Sequence, residues 1–120
     1  MPAQRTLRKV ASCTGIGLHS GQRVSISLKP APANFGIRFL RADLGVEIPA
    51  DVSCLGAVQQ LQTGLRKGDA SVETVEHLLS ALTSLGVDNV LVELNQAEVP
   101  IMDGSAAPWV YLIQSAGTRD

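Results

Sequence analysis

The sequence has 120 residues, 45% of them hydrophobic, and a formal net charge of −1. That is enough apolar material for one domain with its own core, and the near-neutral balance without a Lys/Arg run excludes polyanion binding as the main role. Aromatic side chains occur only at Phe35, Phe39, Trp109 and Tyr111, too few for a base-stacking platform. No apolar run approaches the roughly 20 residues that span a bilayer, and Met1 to Arg5 has no signal-peptide character, so no transmembrane segment and a cytoplasmic location are expected.

Along the chain, Thr6 to Cys13 is a candidate strand. It leads into Gly15-Ile16-Gly17-Leu18-His19-Ser20-Gly21, whose glycines permit a hairpin connection. The clearest strand is Arg23 to Lys29, where Val24, Ile26 and Leu28 alternate with polar neighbours, with Pro30 expected to end it. Ile37 to Arg41, Val46 to Ile48, Asn89 to Leu94 and Val99 to Ile101 add short β-rich runs bounded by turn formers. Helical periodicity appears twice. Val75, Leu78, Leu79, Leu82 and Leu85 form one stripe, stopped by Gly86. Trp109, Leu112, Ile113 and Ala116 form the other, with Ser105 as N-cap, Pro108 in the first turn and Gly117 as the stop, where a linker would begin. The predicted fold is α+β, a two-layer domain over residues 1–120 in which two helices cover a mainly antiparallel sheet.

Few residues offer chemistry. With Val75 at the origin of a helical wheel, Glu76 falls at about 100° and His77 at about 200°, placing His77 on the polar face and Glu76 at its edge. A catalytic zinc needs protein ligands, a water and a carboxylate to take that water's proton, and Glu76 beside His77 is one base beside one ligand. The dipeptide by itself reads as an ordinary solvated helix face, and it is not the metalloprotease motif H-E-x-x-H, because the chain has two histidines and the other is His19. The glycine-rich stretch is one residue too long for a dinucleotide loop and joins two strands. Asp103-Gly104-Ser105 reads as a turn feeding a helix. Cys13 and Cys54 are read as reduced, packed residues. Spacing leaves open a nucleophilic role beside His77, but nothing local lowers either thiol's pKa.

Taken together, Gln4-Arg5-Thr6-Leu7, Gly15 to Gly21, Lys29-Pro30-Ala31-Pro32, Thr74-Val75-Glu76-His77-Leu78 and Val99-Pro100-Ile101-Met102-Asp103-Gly104-Ser105 closely resemble the amino-terminal domain of the bacterial UDP-3-O-acyl-N-acetylglucosamine deacetylases of lipid A biosynthesis. The resemblance implies zinc-dependent removal of the N-acetyl group as acetate, at a site between two similar α+β domains. It makes His77 a zinc ligand and Glu76 the general base that activates water. Leu61, Gln62 and Thr63 correspond to a loop near the substrate, with Gly64 departing from the small polar residue usual there. His19 corresponds to a residue near the cleft, although its turn context fits a structural role equally well. The remaining ligands, a His and an Asp, and the general-acid His are expected from a second, carboxy-terminal deacetylase domain that is not in these 120 residues. The chain alone is therefore expected to be inactive. The competing reading is a non-catalytic module that binds nucleotide-sugar or acyl chain, or an interaction domain using the same helix face.

Overall fold

The structure, a computed structural model, describes residues 4–17, 21–50, 64–67, 70–102 and 104–120. The elements run β1 (Thr6–Leu7), β2 (Ala11–Ile16), β3 (Arg23–Pro30), β4 (Ile37–Arg41), β5 (Val46–Pro49), β6 (Gly64–Lys67), β7 (Ala70–Glu73), α1 (Glu76–Ser84), β8 (Val90–Leu94), α2 (Ala107–Ala116) and β9 (Thr118–Arg119). The fold is α+β, as expected.

The main sheet has the order β2-β3-β8-β4-β5, and every neighbouring pair is antiparallel except β4 with β8. Strict alternation in β3 buries Val24, Ile26 and Leu28, and β8 buries Val90, Val92 and Leu94. Phe39 of β4 and Ile48 of β5 extend this apolar surface. It merges with Val75, Leu78, Ala81 and Leu82 from α1 and Trp109, Ile113 and Ala116 from α2 in one hydrophobic cluster. Both helices exist because a one-sided sheet must be covered.

Several boundaries differ from the sequence expectation. Thr6 to Cys13 is not one strand. The chain bends at Arg8-Lys9, so Thr6–Leu7 pairs with Thr118–Arg119 while Ala11–Ile16 pairs with β3. The residues after Gly117 thus form a strand, β9. Pro30 closes β3 from within, since β2 pairing ends with Ala11 opposite Leu28 and asks no N–H of residue 30. Val99 to Ile101 forms no strand, only isolated bridges around it, Glu73 with Glu98 and Gly17 with Pro100. The antiparallel hairpin β6–β7 was not anticipated, although Gly68-Asp69 between Leu65 and Val72 is a turn signal.

Helix α1 stops as its sequence indicates. Gly86 takes φ 70°, and the Val87 and Gly86 amides donate to the carbonyls of Leu82 (3.0 Å) and Thr83 (3.1 Å), a Schellman closure. In α2 the N-cap position is Ala106 instead of Ser105, whose hydroxyl still accepts from the Ala107 amide at 3.3 Å.

Candidate active site

Glu76 and His77 occupy the first two positions of α1, directly after the buried Val75. The buried face of α1 includes Ala81 as well as Leu78 and Leu82, so its centre is rotated towards His77 relative to the predicted stripe. His77 and Ala81 are neighbours one turn apart. This is why His77 is half-buried on the flank of the packed face instead of lying fully on the polar one. Glu76 is half-buried too, and its Oε1 is buried without a hydrogen-bond partner among the described residues. A carboxylate oxygen left in that state is able to accept a hydrogen bond from a water or ligand. The first turn of a helix also favours negative charge at this position.

The chain reaches this turn by an unusual route. Thr74 lies between β7 and α1 at φ 61°, a left-handed conformation that costs a β-branched residue about 1–3 kcal/mol. Its hydroxyl does not cap the helix but donates to Glu98 Oε2 at 3.0 Å, with both residues buried. Beside it, the Glu73 amide donates to the Ala97 carbonyl at 2.6 Å, and the Val99 amide donates to the Glu73 carbonyl at 3.0 Å. Further along the same strap, the Ile101 amide donates to the Ile16 carbonyl at 3.0 Å, next to the Gly17–Pro100 bridge. Residues 97–102 thus join the entrance of α1 to the start of the glycine-rich turn, bringing together three motifs that lie far apart in sequence. The sequence places Thr74 in a motif without giving it a role, and gives no sign of Glu98. A threonine before a helix suggests a cap, and nothing local to Glu98 reveals its partner.

His19, Leu61, Gln62, Thr63, Cys54 and Asp103 lie outside the described residues. Cys13 is half-buried against the core, and burial pushes its thiol pKa up, away from nucleophile chemistry. A cleft of about 560 Å³ between Arg8-Lys9 and Ser115 to Thr118 includes neither Glu76 nor His77 in its lining. Among the described residues no three His, Cys, Asp or Glu side chains converge as a metal cage. One imidazole and one carboxylate at the start of α1 are of the side-chain types a zinc site uses, and among the described residues they do not close around an ion by themselves.

The molecule is thus a two-layer α+β scaffold that carries a carboxylate and an imidazole on adjacent residues at the start of α1. The model of the LpxC family, UDP-3-O-acyl N-acetylglycosamine deacetylase, matches residues 4–120, and the chain belongs to that family. It is 56% identical over 122 residues to the UDP-3-O-acyl-N-acetylglucosamine deacetylase of Pseudomonas entomophila (strain L48), covering 100% of this chain and 40% of that protein. The same identity holds over 119 residues with the deacetylases of Stenotrophomonas maltophilia strains K279a and R551-3, covering 98% of this chain and 39% of each. The chain therefore spans about 40% of the length of the curated relatives it matches. Among the described residues no helix is long and apolar enough to cross a membrane.

Proposed function

We propose that this chain supplies the first half of the active site of a zinc-dependent deacetylase that hydrolyses the N-acetyl group of UDP-3-O-acyl-N-acetylglucosamine, releasing acetate, in lipid A biosynthesis. The observation that carries the reading is the buried Oε1 of Glu76, without a hydrogen-bond partner among the described residues, next to His77 in a chain of this family. Glu76 takes a proton from the attacking water, and His77 contributes one ligand. Zinc, when bound, supplies the charge that acidifies water and polarises an amide carbonyl. The remaining ligands come from a carboxy-terminal deacetylase domain, which also shields the face around α1 from bulk water. Leu61, Gln62, Thr63 and His19 contact the substrate in this reading, which also places the reaction in the cytoplasm.

Co-expression with a carboxy-terminal deacetylase domain of the family tests this. The 120-residue chain alone is expected to release no measurable acetate, and the assembly to be active. Within the assembly, Glu76→Ala lowers kcat by about 10²- to 10⁴-fold, the range for loss of a general base. His77→Ala lowers the zinc content measured by metal analysis. An active Glu76→Ala assembly would sink the mechanism. Tight, zinc-independent binding of the UDP-sugar by the chain alone would favour a non-catalytic binding module instead.

A further inference from the structure

We propose that Thr74, locked in a left-handed conformation by its hydrogen bond to Glu98, is the positioning residue for Glu76 and His77. The inference rests on the deacetylase reading for what the pair does, but not for how it is held. At φ 61° glycine would be unstrained, yet the position carries a β-branched residue whose hydroxyl reaches a buried carboxylate at 3.0 Å. The side chain is thus the part of this residue that has a task. Glu73 is clamped on both of its backbone groups by Ala97 and Val99, and Val75 is wholly buried. With Glu73 held by its backbone bonds and Val75 packed in the core, the left-handed turn at Thr74 sets the direction in which the chain leaves β7 for α1. Glu76 and His77 follow within three residues, so a change of dihedral at Thr74 swings both together. Hydrolytic geometry tolerates little such movement: a displacement of about 1 Å costs on the order of 100-fold in rate.

Thr74→Val keeps the branching but puts a methyl group against the Glu98 carboxylate, and Thr74→Ser keeps the hydroxyl. Thr74→Gly adopts the same φ without strain and covers the case in which the valine variant does not fold. In the assembly with the carboxy-terminal domain, Thr74→Val and Thr74→Gly are expected to lower kcat per bound zinc by about 10- to 100-fold, the usual effect of losing a supporting partner, with KM little changed. Thr74→Ser is expected to restore kcat. In the 120-residue chain itself, amide hydrogen exchange is expected to quicken at Leu79, whose amide closes the first turn of α1 on the Val75 carbonyl at 2.9 Å, in the valine and glycine variants, but not in β3 or β8. Parental kcat per bound zinc, a loss that serine does not rescue, or unchanged exchange in the first turn would each overturn the proposal. If the parent assembly is inactive the deacetylase reading falls, and exchange in the first turn then decides the positioning role alone.

Discussion

Gly15 of β2 lies close against the strap of residues 97–102. A Cβ built there would lie 2.7 Å from Pro100 Cβ and 3.2 Å from Met102 Sδ, and the proline is part of the Gly17–Pro100 bridge. Gly15→Ala must therefore move residues 100–102 away from β2, and is expected to destabilise the chain by about 1–3 kcal/mol, the usual cost of overpacking. An unchanged urea midpoint would refute the contact. The sequence could assign Gly15 only to a turn, because its proline partner is 85 residues distant along the chain. Glu76 and His77 show the complementary case. Their placement on the first turn of a helix was legible from periodicity, but their half-burial was not, since Ala81 is too small to register as part of an apolar stripe and is nonetheless fully buried.

At the scale of elements, α1 is the hinge between site and core. Leu78, with no exposed surface, sits one residue beyond His77 and anchors the same turn in the hydrophobic cluster. Leu78→Ala is expected to cost about 2–5 kcal/mol by leaving a cavity, and thermal or denaturant unfolding measures it. A loss well under that range would mean that the helices collapse onto the sheet more readily than their packing indicates. The strongly periodic elements were readable because a single physical constraint, one buried face, fixes every second residue of β3 and every third or fourth residue of α1. The β6–β7 hairpin and the break between β1 and β2 are not legible in the sequence, because Thr6–Leu7 and Gly64–Lys67 are short strands whose partners impose no local pattern.

Across the whole molecule, Arg41 ties the main sheet to the β6–β7 hairpin. Its guanidinium donates to Asp43 Oδ1 at 2.9 Å and Oδ2 at 2.6 Å, and to the Ser71 carbonyl of β7 at 2.8 Å. The hydrogen bond from Arg41 is the main reason the Asp43 carboxyl is held below its ordinary pKa of 3.8. A native pKa lower than the unfolded one contributes stability that is fully present above the unfolded value and is lost as pH falls through the native one. Asp43→Asn is therefore expected to lower stability at neutral pH and to converge with the parent in acid, below pH 3.8. Urea unfolding as a function of pH checks this, and a stability difference independent of pH would contradict it.

By itself the sequence determined which segments are helix and which are the central strands, because burial of one face imposes a period that is written locally. It also carried the five motifs by which family membership was legible, and the Glu76-His77 pair among them. Tertiary structure alone decided what holds that pair. The left-handed Thr74, the buried Glu98 that secures it, and the strap from Ala97 to Met102 depend on contacts between residues 24 to 87 positions apart. Such contacts leave no trace in composition or periodicity, since a hydrogen bond or a close approach constrains two side chains and not the spacing around either.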